Sequence, residues 1–85
     1  MIGGTKDMGE VLVKVQQAFH TAFHVDPQSV SLETVPDDID GWDSVGHLEL
    51  VAALESIFEL SFDVDELMEM ENVGEIVRII QSKFR

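Results

Sequence analysis

The stretch Gly41-Trp42-Asp43-Ser44-Val45-Gly46-His47-Leu48-Glu49-Leu50 decides how this chain folds, because it joins an acidic, turn-rich connection to the most apolar helical segment. Asp43 and Ser44 are both helix-capping residue types, each able to offer an oxygen to the N–H groups that a first turn leaves unpaired. Ser44 therefore falls at the mouth of a helix, with its hydroxyl expected in solvent. A helix N-terminus carries roughly half a positive charge, so an anionic group attached to Ser44 would be well placed. The residue reads as a serine positioned to carry something.

Downstream, the pattern predicts a helix over residues 44–59, with Leu50, Val51, Leu54, Ile57 and Phe58 as its core stripe. Val45, Leu48 and Ala52 lie on other faces, beside Glu49, Glu55 and Ser56. A helix apolar nearly all round is either fully buried or shows an apolar patch to a partner, and so short a chain favours the patch. A short helical turn follows near residues 63–70, whose Leu67, Met68 and Met70 offer adaptable packing. Asn72 and Glu75 have capping-box spacing and open a last helix with Val73, Ile76, Val77, Ile80 and Phe84 as its stripe. Lys83 and Arg85 suit that helix's negative end.

Upstream, residues 1–6 read as a flexible tail. Asp7 and Glu10 form a second capping-box pattern, and Met8, Leu12, Val15, Phe19 and Phe23 recur at helical spacing, flanked by Val11, Ala18 and Ala22. The helix should run to about residue 24, with Asp26-Pro27 as the stop. Residues 25–43 are a long connection for so small a domain, so Val30, Leu32, Val35, Ile39 and Trp42 are expected to pin it to the bundle. Alternation over residues 29–35 imitates a strand, but no second strand exists to pair with it. The expectation is all-α: one domain over residues 7–85, a small bundle of three main helices plus one short helix.

Composition narrows the function. A chain of 85 residues with 45% hydrophobic content can fold as one domain with a modest core. No apolar run approaches a membrane span, no signal pattern opens the chain, and Ile2 excludes the usual myristoylation signal, so a cytoplasmic monomer is expected. Net charge is −12, and no Lys or Arg occurs between Lys14 and Arg78, an interval holding 15 of the 17 acids. Such a field repels nucleic acid and attracts basic protein surfaces. It should also repel itself, so salt or a divalent cation should stabilise the fold. Cysteine is absent, which excludes disulfides and thiolate metal sites.

Other chemistries fail on spacing. With Gly41 as the sixth position of a calcium loop, Pro36 and His47 fall where carboxylates are needed. His20 and His24 stand four apart, but zinc needs three or four ligands and the sequence specifies no third; no metal site is expected. The first glycine of Gly41-Trp42-Asp43-Ser44-Val45-Gly46 is one residue too far from the serine for a nucleophile elbow, and the strand is missing. His47 could serve Ser44 as a base only with a cleft to orient it, and a bundle this small offers none. No catalytic residue is expected, and the chain is not read as an enzyme.

At these residues the chain resembles the acyl carrier proteins, the phosphopantetheine-binding carriers of fatty-acid, polyketide and related pathways. Asp43-Ser44-Val45 is similar to the family's Asp-Ser-Leu attachment triplet. Leu48-Glu49-Leu50-Val51, Ala53-Leu54-Glu55 and Phe58-Glu59-Leu60-Ser61-Phe62 follow its second helix, and Val73-Gly74-Glu75-Ile76-Val77 its fourth-helix opening. Glu59 stands where the family commonly has Gly, Asp63 where it often has Pro, and Gly46 and Ser56 where acids are frequent. Trp42 before Asp43-Ser44 looks most like discrete, stand-alone carriers.

The resemblance implies that a phosphopantetheinyl transferase, using coenzyme A and magnesium, attaches 4′-phosphopantetheine covalently to Ser44, with Asp43 assisting. The arm's thiol would hold acyl groups as thioesters, with no cysteine in the chain to compete. It implies further that Glu49, Glu55 and Glu59 meet basic docking patches on acyl-loading and acyl-processing enzymes, with Leu48 and Ala52 as apolar contacts and Val45 also on the partner-binding face. Val45, Leu50, Leu54, Phe62, Leu67 and Met68 would either line a space between the second and third helices that shelters an acyl chain or, the simpler use for most of them, pack the core. The reading from a different class is an acidic helical interaction module that is never modified.

Overall fold

The structure, a computed structural model, describes residues 7–84, and these form four α-helices with two 3₁₀ turns and no strand. The tail at residues 1–6 and Arg85 lie outside the described residues. Helix α1 (Met8–Phe23) starts where Asp7 Oδ1 accepts the Glu10 N–H at 2.8 Å. Val11, Val15, Ala18 and Phe19 are buried along its inner stripe. Met8, expected on that stripe, is exposed, because as the first helical residue it lies beyond the core. The helix ends at His24, which turns left-handed (φ 60°) while its N–H bonds the His20 carbonyl at 2.8 Å. Asp26-Pro27 was expected as the stop, but Asp26 instead caps the 3₁₀ turn Pro27–Ser29 by accepting the Gln28 N–H at 2.9 Å.

The connection over residues 25–43 is held by side chains and by backbone. Val30, Ile39 and Trp42 are buried and Leu32 is half-buried, as expected of pins. Val35 departs from that expectation and is exposed: it precedes the 3₁₀ turn Pro36–Asp38, and its N–H bonds Asp38 Oδ2 at 3.1 Å while its side chain faces solvent. The carbonyls of Thr34 and Leu32 accept the N–H groups of Val73 and Gly74 at 3.0 and 2.8 Å, so the connection satisfies two of the orphan donors that open the last helix. Gln16 Nε2 donates to the Val30 carbonyl at 2.8 Å from the α1 side.

Helix α2 (Ser44–Phe58) packs chiefly on α1, burying Leu50, Val51, Leu54 and Phe58 and half-burying Ile57. Helix α3 (Val64–Glu69) has only six residues, too few to hold itself in water. Its start is fixed by the Asp63 N–H on Glu66 Oε1 at 2.8 Å, and Lys83 Nζ reaches the same oxygen at 2.9 Å from α4. Helix α4 (Val73–Lys83) buries Val73, Ile76, Val77, Ile79 and Ile80. Its expected capping box is half made: Asn72 Oδ1 accepts the Glu75 N–H at 2.8 Å, but the Glu75 carboxylate turns away to accept Arg78 Nε at 2.9 Å. Side chains such as Leu50, Leu54 and Ile80 are fully buried, each contributing about 2 kcal/mol of transfer free energy.

Candidate functional site

Ser44 is the first residue of α2, and Asp43 is its cap, with Oδ1 accepting the Gly46 N–H at 2.8 Å. All six serines of the chain are exposed, so exposure alone does not single one out. The hydroxyl of Ser29 donates to the Asp26 carbonyl, that of Ser82 to the Ile79 carbonyl, and Ser31 Oγ accepts the Glu33 N–H. Ser56 lies in the last turn of α2 and Ser61 in the link after it. Ser44 alone opens an α-helix, and its hydroxyl has no hydrogen-bond partner among the described residues. An anion bonded there meets the positive end of a helix of 15 residues.

What holds Ser44 in place begins with aromatic packing. Trp42 is only 6% exposed, and its ring stands nearly perpendicular (83°) to that of Phe19, with centroids 5.0 Å apart. Its indole Nε1–H donates to His47 Nδ1 at 2.8 Å, and His47 Nε2 lies 3.0 Å from the Leu67 carbonyl in α3. Both ring nitrogens of His47 are thus engaged away from Ser44, so the serine–histidine pair weighed from the sequence is not assembled. Below the turn, Gly41 takes φ +92° and its carbonyl rests against Gly46, where a Cβ would overlap that oxygen and come within 2.9 Å of the Phe23 ring. Glycine at 46 lets the loop close directly onto the first turn of α2.

An open groove of about 410 Å³ runs beside Ser44, lined by Trp42, His47, Leu67, Met68 and Met70 together with Pro36 and the acids Asp43 and Glu71. Of the two uses open to the six residues named from the sequence, core packing takes most of the inward-pointing ones. Leu50 and Leu54 are fully buried in the core, while Val45 (68% exposed) and Met68 (73%) face outward, so only Leu67 and Met68 of those six line the groove. On the outer face of α2, Val45, Leu48 (61% exposed) and Ala52 are exposed beside Glu49. The structure commits Glu55 to the fold: it is half-buried, and Oε2 accepts the Phe62 N–H at 3.0 Å. Glu59 is exposed as the left-handed C-cap (φ 55°).

His20 and His24 are exposed, and among the described residues no group of three His, Cys, Asp or Glu side chains is placed to hold a metal. No helix of the described residues is long and apolar enough to cross a membrane.

The family model for the phosphopantetheine attachment site matches residues 13–80. The acyl carrier protein of Exiguobacterium sibiricum is 30% identical over 74 residues, spanning 87% of this chain and 94% of that protein. The acyl carrier protein of Phenylobacterium zucineum is 30% identical over 76 residues, 89% of this chain and 96% of that one. The chain belongs to the acyl carrier protein family. The solution NMR structure of the holo acyl carrier protein from Geobacter metallireducens superposes with a TM-score of 0.76 at 32% identity, covering 86% of this chain and 84% of that one.

This carrier bears its acyl cargo on a covalent phosphopantetheine, and its role brings it to a phosphopantetheinyl transferase and to biosynthetic enzymes. Its residues fit such a group: an exposed, partnerless hydroxyl at a positive helix end, with an open groove beside it. Two departures from the family pattern have local causes or costs. Gly46 replaces a frequent acid because the Gly41 carbonyl fills the space. Glu59 occupies a left-handed position that suits the family's Gly. The His47 relay and the Gly41–Gly46 contact were missed from sequence: no periodicity marks a histidine that bonds five residues back and twenty ahead.

Proposed function

We propose that Ser44 is the attachment residue and that the chain works as a stand-alone cytoplasmic carrier without catalytic activity of its own. The observation that carries this reading is the Ser44 hydroxyl, exposed and unpartnered in the first turn of α2. When bound, the arm supplies a thiol that holds acyl groups as thioesters. The protein's own residues do the rest. The N–H groups at the start of α2 favour the negative phosphodiester. Asp43, already accepting from Gly46, keeps that turn in register while a transferase works beside it. The walls of the groove, Trp42, Leu67, Met68 and Met70, offer apolar surface next to the attachment point. Both His47 nitrogens are occupied elsewhere, so His47 does not deprotonate Ser44 and the base comes from the transferase.

Partner enzymes dock on the outer face of α2. Val45, Leu48 and Ala52 give the apolar contact, and Glu49 and Glu59 meet basic patches; Val64 (72%) and Met68 of α3 are also exposed. Glu55 contributes charge only at the edge, because its carboxylate is held by Phe62. Intact-mass measurement after incubation with coenzyme A, magnesium and a broad-specificity transferase tests the reading. One phosphopantetheine is expected on the wild type and none on Ser44→Ala; an unmodified wild type would favour the interaction module.

A further inference from the structure

The ring of His47 bridges Trp42, at the end of the long connection, and Leu67 in α3. Trp42 Nε1–H can only donate, so Nδ1 must present its lone pair; the Leu67 carbonyl can only accept, so Nε2 must carry the hydrogen. Of the three forms an imidazole takes, only the neutral Nε2–H tautomer makes both bonds. One partner is packed into the core: Trp42 is buried against Phe19. The other belongs to α3, a helix of six residues that also depends on the Lys83–Glu66 contact.

We propose that His47 is a proton-responsive positioning residue: as the neutral ring it fastens the end of α3 beside Ser44, and on taking a proton it lets that end go. The proton comes from solvent and adds to Nδ1. The new N–H then points at the indole N–H across a gap that held a hydrogen bond, and Trp42 has no room to turn aside. The imidazolium swings out instead, withdrawing Nε2–H from the Leu67 carbonyl. Leu67 and Met68 then lose their fixed place and the groove opens along the α3 side. The charged groups sharing the groove are Asp43, from the cap of α2, and Glu71, from the link after α3; neither hydrogen-bonds the ring. On α3 itself Glu66 is held by Lys83, and Asp65 and Glu69 are exposed. The functional consequence, a pH-dependent wall beside the attachment point, rests on the reading of Ser44 given above; the latch does not.

The test uses the full unmodified chain, labelled with ¹⁵N, observed by NMR from about pH 8 to about pH 5. At the alkaline end the His47 ring is expected as the Nε2–H tautomer. On acidification the Trp42 indole N–H should move upfield and exchange faster with water, with the backbone amides of Leu67 to Met70 changing at the same midpoint as the imidazole. His47→Gln, which keeps an acceptor and a donor but takes no proton, should give an indole signal flat with pH. A double His20→Gln, His24→Gln variant should behave as the wild type. The proposal is overturned if the ring is the Nδ1–H tautomer, which the wild type alone reports should His47→Gln not fold. It is overturned equally if the indole and α3 amides ignore the imidazole, or if the response persists in folded His47→Gln. An intact latch on a chain that no transferase modifies would instead remove the Ser44 reading and leave the proposal supported.

Discussion

Replacing Gly46 by Ala sets two effects of opposite sign against each other. In an exposed helix interior the change stabilises by about 1 kcal/mol, since glycine is the poorest helix former after proline. At position 46 the new methyl overlaps the Gly41 carbonyl oxygen and stands 2.9 Å from the Gly41 carbonyl carbon and from Phe23 Cε1. Backbone cannot rotate aside as a flexible side chain does, so the 41–46 turn must move as a body. Overpacking of this kind costs about 1–3 kcal/mol. The movement also strains the Asp43–Gly46 cap, an interaction of about 1 kcal/mol. The net expectation is a loss of about 2 kcal/mol, which for a domain of this size lowers the melting temperature by roughly 8–16 °C. Thermal unfolding followed by far-UV circular dichroism, with the single tryptophan as a second probe, measures it. Gly9→Ala is the control: its methyl meets only Asp7 Oδ1 at 3.5 Å, so propensity should win and stability should rise. A Gly46→Ala protein as stable as wild type would refute the close approach of the loop to α2.

Other expectations follow from the same structure. Glu59→Gly should stabilise by about 1 kcal/mol, since it relieves a left-handed residue and removes a negative charge from the C-terminal end of α2; a lower melting temperature would contradict this. The Lys83 hydrogen bond, then the Asp63 N–H, hold the Glu66 carboxyl below the usual carboxylate range, so its contribution is present above that range and lost as pH falls through the folded value. Because the pair is partly solvated, Glu66→Gln should cost under about 1 kcal/mol near neutral pH, with the difference from wild type vanishing in acid. Melting temperature should rise with moderate salt, because 15 acids share an interval without Lys or Arg; a flat curve would count against self-repulsion. Glu49→Lys should slow processing by a partner enzyme while leaving the helical circular dichroism intact, and unchanged processing would move the docking face elsewhere.

Much of this molecule is legible in its sequence for a physical reason: helices announce themselves through caps and period. Asp7, Asp43 and Asn72 each accept the N–H three residues on, and the stripes of α1, α2 and α4 are buried much as their spacing implies. Ser44 was legible for the same reason, since a cap residue fixes where a helix starts. Less legible was everything that depends on contacts distant in sequence. Val35 looks like a pin until the 3₁₀ turn after it rotates it outward, and Glu55 looks like surface charge until the chain returns to offer the Phe62 N–H. Helical spacing says which residues point inward but not whether the inside is hollow; of the two uses open to Leu50 and Leu54, core packing is the one the structure shows.

Peptide mapping by tandem mass spectrometry of the transferase-treated protein tests the assignment of Ser44 most directly, because all six serines are exposed and could compete. The phosphopantetheine mass is expected on the fragment containing Ser44 alone, and to be absent from every fragment of Ser44→Ala. Modification mapped to Ser56 or Ser61, or a Ser44→Ala protein that still gains the mass, would contradict it.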